Sequence, residues 1–124
     1  MADNDFPPEV NQFIDATIAS VDHIEVLRVL SETAGQPFTV DALASRMSID
    51  KRSIVDAIQD FREANIVRET PGGLTFEPPL EKRETIATLI RLYNTRPVTL
   101  IRAVYSRPKP LKAFTNAFRL RRTD

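Results

Sequence analysis

At 124 residues and 42% hydrophobic, the chain is long enough to bury one core and is most simply a single domain. It has no cysteine, which excludes a disulfide framework and a thiolate metal site, and no apolar run near the roughly 18 residues that span a bilayer. The formal net charge of zero conceals an uneven distribution: residues 1–80 hold six Lys/Arg against fourteen Asp/Glu, and residues 81–124 hold eleven against three.

In chain order, the acidic start Met1-Ala2-Asp3-Asn4-Asp5 carries no targeting or membrane signal, so a cytoplasmic protein with no membrane partner is expected. Pro7-Pro8 suit the first turn of a helix patterned by Val10, Phe13, Ile14 and Thr17 up to Ala19. Ser20 caps a second helix, with Ile24, Leu27 and Leu30 inward and Gly35 ending it. Thr39 caps a third, whose Val40, Leu43, Ala44 and Met47 fall at i, i+3, i+4 and i+7 on one face. Ser48 and Ile49 make a turn. Asp50 then caps a fourth helix, with Ile49 and Ile54 placed as a hydrophobic staple and Ile54, Ala57, Ile58 and Phe61 as its buried face. Asn65 stands where a left-handed residue stops a helix. Ile66–Glu69 and Leu74–Glu77 read as a hairpin around Thr70-Pro71-Gly72-Gly73, closed by Pro78-Pro79.

The C-terminal third reads as helical. Glu81 to Asn94 carries Ile86, Leu89, Ile90 and Tyr93 on one face. Pro97 opens a short helix with apolar Leu100, Ile101, Val104 and Tyr105, broken by Pro108 and Pro110. Leu111, Phe114 and Phe118 mark a last helix before Arg119-Leu120-Arg121-Arg122.

Three stretches carry a family resemblance: Thr39-Val40-Asp41-Ala42-Leu43-Ala44, Asp50-Lys51-Arg52-Ser53-Ile54-Val55 and Phe61-Arg62-Glu63-Ala64-Asn65-Ile66-Val67. In them the chain resembles the bacterial winged helix-turn-helix regulators, of which MarR-like proteins are the familiar case. The likeness covers about a third of the 124 residues plus a preceding helix. It implies a mainly α fold, a winged helix (helix-turn-helix plus short β-hairpin) with additional N- and C-terminal helices. The expected organisation is an N-terminal helix and winged-helix domain over 1–80, then a basic helical extension over 81–124 that packs on it or forms a dimer interface.

For function, the resemblance implies sequence-specific binding of double-stranded DNA by a transcriptional regulator. The helix after Asp50 would enter the major groove. Opposite its buried face stand Lys51, Arg52, Ser53, Val55, Asp56 and Gln59, and Lys51, Arg52, Ser53 and Gln59 are the candidate DNA contacts together with Arg68 beside the hairpin tip. Asp56 and Asp60 oppose that reading, because a carboxylate is repelled by phosphate unless it accepts from a cytosine amino group. The hairpin tip has no Lys or Arg to enter a minor groove. The alternative is a non-enzymatic winged-helix adaptor that holds a protein and not DNA.

Lys112, Arg119, Arg121 and Arg122 are candidate contacts to phosphate or to an acidic protein partner, while Arg91, Arg96, Arg102, Arg107 and Lys109 also suit surface ion pairs with the acidic body. Phe13, Ile14, Leu111, Phe114 and Phe118 are more apolar residues than a small winged-helix core needs, so a homodimer buried through them is expected. Catalysis finds little support. His23 is a lone histidine without converging ligands, Gly72-Gly73 lacks the Lys-Ser/Thr of a phosphate loop, and Ser45, Ser53 and Ser106 have no paired base. No enzyme activity, metal or cofactor is expected.

Overall fold

The computed structural model describes residues 6–107, and the statements below concern those residues. Its elements run α1 (Pro8–Thr17), α2 (Val21–Glu32), α3 (Val40–Arg46), α4 (Lys51–Glu63), β1 (Val67–Thr70), β2 (Gly73–Phe76), α5 (Leu80–Thr95) and α6 (Pro97–Tyr105). The architecture is mainly helical with one small antiparallel hairpin.

Local chemistry sets several of the helix ends. The side chains of Ser20, Thr39 and Asp50 accept from the backbone N–H groups of His23, Ala42 and Ser53, each satisfying a first-turn donor that has no partner within its helix. At the other end of α4, Asn65 takes the left-handed conformation with φ 65°. Lys82 Nζ donates to the Ala64 carbonyl at 2.7 Å, which places a cation at the negative end of the helix. α2 ends at Glu32, ahead of Gly35, whose φ of 87° belongs to the turn that follows. Met47 lies just past α3 as its C-cap rather than on the helix.

α2 is the central element. It packs against both α4 and α5, and its buried residues His23, Ile24, Val26, Leu27 and Leu30 cover nearly half of its circumference. α3 sits on α4, making the expected helix corner, and α1 and α6 pack on α5. One buried cluster runs from Phe6 to Val104, so residues on both sides of position 80 share a core.

The hairpin differs in detail from the sequence expectation. Val67 pairs with Phe76, Arg68 with Thr75, Glu69 with Leu74 and Thr70 with Gly73, so Thr70 and Gly73 are strand residues and the tip is Pro71-Gly72. Thr70 Oγ1 also lies 2.8 Å from Thr75 Oγ1, joining the strands through their side chains. Phe38 adds a bridge to Leu74, with reciprocal backbone bonds of 2.7 and 2.8 Å, and so ties the segment before α3 to the hairpin. This approach requires a glycine at 73. Its φ is 134°, and a Cβ there would meet the Phe38 carbonyl oxygen at 2.5 Å.

α6 is turned differently from the apolar pattern. Leu100, Ala103 and Val104 are buried, Ile101 is half-buried and Tyr105 is exposed. The Tyr105 hydroxyl accepts from the Val21 N–H at 3.2 Å, so the ring covers the start of α2 with its polar end engaged.

Candidate nucleic-acid interface

α4 has two faces of the same spacing. Ile54, Ala57, Ile58 and Phe61, at i, i+3, i+4 and i+7, are all at most 4% exposed. Arg52, Val55, Asp56 and Gln59 repeat that spacing on the opposite side and are all exposed. The first stripe holds the helix in the core, and the second projects from the α3–α4 corner.

The candidate contacts divide accordingly. Lys51, Arg52 and Gln59 are exposed on α4, whereas Ser53 is half-buried and its backbone N–H is engaged by the Asp50 cap at 3.4 Å. Arg68 is exposed on β1. Phe13 and Ile14 are 7% and 1% exposed within a single chain, packed in the core of α1. They therefore have little surface left to bury against a second subunit. Leu111, Phe114 and Phe118, and the basic Lys112, Arg119, Arg121 and Arg122, lie outside the described residues.

Most cations around this surface already face a carboxylate. Lys51 Nζ is 2.6 Å from Asp41 Oδ1, Arg68 Nε is 2.5 Å from Glu77 Oε1, Arg62 is 3.6 Å from Glu69 and Arg46 is 3.6 Å from Glu32. All four pairs are solvent-exposed, so each contributes about 0–1 kcal/mol to stability, but each offsets a charge that a phosphate would otherwise meet. Residues 39–77 hold five Lys/Arg against seven Asp/Glu. By contrast, the side chains of Arg52, Asp56 and Gln59 have no hydrogen bond or ion pair among the described residues.

Asp60 does not belong to the exposed stripe. Its Oδ2 accepts from His23 Nε2 at 2.7 Å, with side chains 15% and 6% exposed respectively. Because a carboxylate can only accept, Nε2 carries the proton, and Nδ1 is left facing Ser20 Oγ at 3.0 Å. The imidazole also meets Phe61 edge-on, with centroids 5.8 Å apart. Asp60 is thus a packing residue between α2 and α4, and its carboxylate does not lie on the exposed stripe. The sequence signal for this was slight: Asp60 borders the buried stripe one position before Phe61.

A second ionisable cluster joins α2 to α5. Tyr93 donates its hydroxyl proton to Glu25 Oε2, and Arg28 donates to Glu25 Oε1 at 2.7 Å. Burial acts to raise the Glu25 carboxyl, but the hydrogen bonds from Tyr93 and Arg28 and the charge of Arg28 outweigh it and hold the group below its ordinary value. Burial, then the hydrogen bond to Glu25 and its charge, push the Tyr93 phenol up to about 12.

The basic residues of the C-terminal helices have varied partners. Arg107 bonds Asp15 at 2.5 Å and Asn11 at 2.5 Å, tying the end of α6 to α1. Arg83 instead donates to the Pro78 carbonyl, and Arg96 lies 5.5 Å above the Phe6 ring. Among the described residues no group of three His, Cys, Asp or Glu could hold a metal ion, and no helix is long and apolar enough to cross a membrane. Comparison with protein-family models, curated proteins and solved structures finds no match to this chain.

Proposed function

We propose that the chain is a sequence-specific, DNA-binding transcriptional regulator of winged-helix type, with α3 and α4 as the helix-turn-helix, α4 as the recognition helix and the β1–β2 hairpin as the wing. The observation that carries this reading is the exposed stripe of α4. It projects from the α3–α4 corner, and three of its four side chains have unengaged donors or acceptors at the spacing a major groove accommodates. Lys51, Arg52 and Gln59 are the leading contacts, with Arg68 on the wing.

The regulator would act as a homodimer, since two half-site contacts together bind more tightly than either alone. With Phe13 and Ile14 in the intrachain core, its interface falls to other residues, with Leu111, Phe114 and Phe118 the remaining candidates. Sedimentation of the full chain at micromolar concentration tests this, and a monomer there would remove the dimer from the proposal.

One observation favours the adaptor instead. The cations of α3, α4 and the wing are largely ion-paired and outnumbered by carboxylates, a poor surface for a polyanion. The adaptor would hold an acidic protein through Lys112, Arg119, Arg121 and Arg122. Titration of random duplex DNA over a range of salt concentrations separates the two. The regulator requires measurable affinity at low salt, with Lys51→Ala plus Arg52→Ala flattening the salt dependence by about 0.9 per lost phosphate contact. Asp41→Asn should steepen it by releasing Lys51. Negligible duplex affinity even at low salt would leave the adaptor.

A further inference from the structure

We propose that Asp56 is a specificity-determining residue that accepts from a cytosine amino group, within a stripe that reads base edges. The inference rests on the duplex-DNA reading above and adds the base chemistry of the site. Arg52, Val55, Asp56 and Gln59 span seven residue steps of α4. At 1.5 Å per residue this is about 10 Å, the rise of roughly three base-pair steps.

Charge argues for bases over phosphates. The neighbouring cations Lys51, Arg62 and Arg68 are held by Asp41, Glu69 and Glu77, so the surroundings of the stripe offer little net attraction to a backbone. What the stripe does offer is three polar side chains of different kinds with their hydrogen-bonding capacity unengaged among the described residues, around an isopropyl group that is 41% exposed at Val55.

Each side chain has a distinct complement in the major groove. Ionised, Asp56 has only acceptors, so it needs an amino donor. Cytosine presents N4 with no acceptor on its own groove edge, whereas adenine sets the N7 acceptor beside its N6 amino group and would repel a carboxylate. Cytosine is therefore the better partner. Arg52 matches the O6 and N7 acceptors of guanine, Gln59 matches the N6 donor and N7 acceptor of adenine, and Val55 matches the thymine methyl. A carboxylate in this position then excludes wrong sequences by repulsion as well as selecting the right one.

Selection of full-length protein on a randomised duplex pool, followed by titration of the enriched site, tests the assignment. The enriched site should contain a short window with a required cytosine, and replacing that pair should weaken binding about 5- to 160-fold. Asp56→Ala should raise affinity for random duplex while erasing the cytosine preference. Asp56→Asn, which adds a donor, should shift the preference to adenine. Replacing thymine by uracil should weaken the parent about fourfold and leave Val55→Ala less affected. All of these side chains are exposed, so the variants should melt with the parent. An enriched site that is identical for the parent, Asp56→Ala and Asp56→Asn overturns the inference and leaves duplex binding standing. No retained duplex at low salt overturns both.

Discussion

α2 meets its two neighbours through ionisable contacts that differ in how much water reaches them. Toward α4, His23 and Asp60 are 6% and 15% exposed at the side chain and lie against the fully buried Phe61. Toward α5, Glu25 and Arg28 are 27% and 40% exposed, and Tyr93 is half-buried. In the sealed contact an unmet polar group would lose its hydration with nothing in return, so the pair strongly constrains how α4 sits and hence how its outer stripe is presented. In the open contact water screens the charges, and the consequence is a response to pH more than a constraint on geometry. Similar chemistry thus does different work on the two sides of one helix.

The largest expected effect breaks the sealed side at its centre. Phe61→Ala removes a fully buried ring beneath both α4 and His23 and should cost about 3–5 kcal/mol in denaturant unfolding, a large share of a small domain's stability. Parent-like melting would mean that α4 does not pack through this face.

Next in size, His23→Ala removes the Nε2 donor to Asp60 and should cost about 1–3 kcal/mol. Asp60→Asn keeps an oxygen that can accept from Nε2 and should cost less. If the two variants lose equal stability, the charge of Asp60 and not the hydrogen bond sets the value of the contact.

The open side should yield less. Tyr93→Phe should cost about 1 kcal/mol at neutral pH. The sign of the pH effect follows from the raised phenol: stabilisation by Tyr93 is fully present below its ordinary value of 10.0 and is lost as pH rises from there toward about 12. The lowered Glu25 carboxyl works in the opposite direction, stabilising above 4.5 and losing that contribution as pH falls below it. Unfolding curves of the parent should therefore show an alkaline decline that Tyr93→Phe lacks; identical declines would remove Tyr93 from the account. The smallest change in stability belongs to the outer stripe. Lys51→Ala plus Arg52→Ala should stay within about 0.5 kcal/mol of the parent, since neither side chain packs in the core.

Much of the fold was readable in advance. The buried stripe of α4, the caps at Ser20, Thr39 and Asp50, and the left-handed Asn65 all follow from spacing and residue type within a few positions. The outer stripe was readable for the same reason, as the complement of the buried one. Contacts made across long separations were not. His23 and Asp60 are 37 residues apart, Glu25 and Tyr93 are 68 apart, and neither pair leaves a periodic trace. Phe38 was missed because a single bridged residue has no alternation to recognise. Tyr105 fell on the apolar pattern of α6, yet its hydroxyl is drawn to the start of α2, which only packing brings near.

The sequence by itself determined where the helices and hairpin lie to within a few residues and which face of α4 turns inward, because capping, turn chemistry and the burial period act over one or two turns of chain. Tertiary structure decided which polar groups are consumed. Asp60 became a half-buried partner of His23 while Asp56, four residues earlier on the same helix, stayed exposed, and Lys51 was claimed by Asp41 while Arg52 beside it was not. Residue type alone cannot separate these cases. The cost of removing a charge from water, and whether a partner within hydrogen-bonding distance offsets it, depend on which elements packing has brought together.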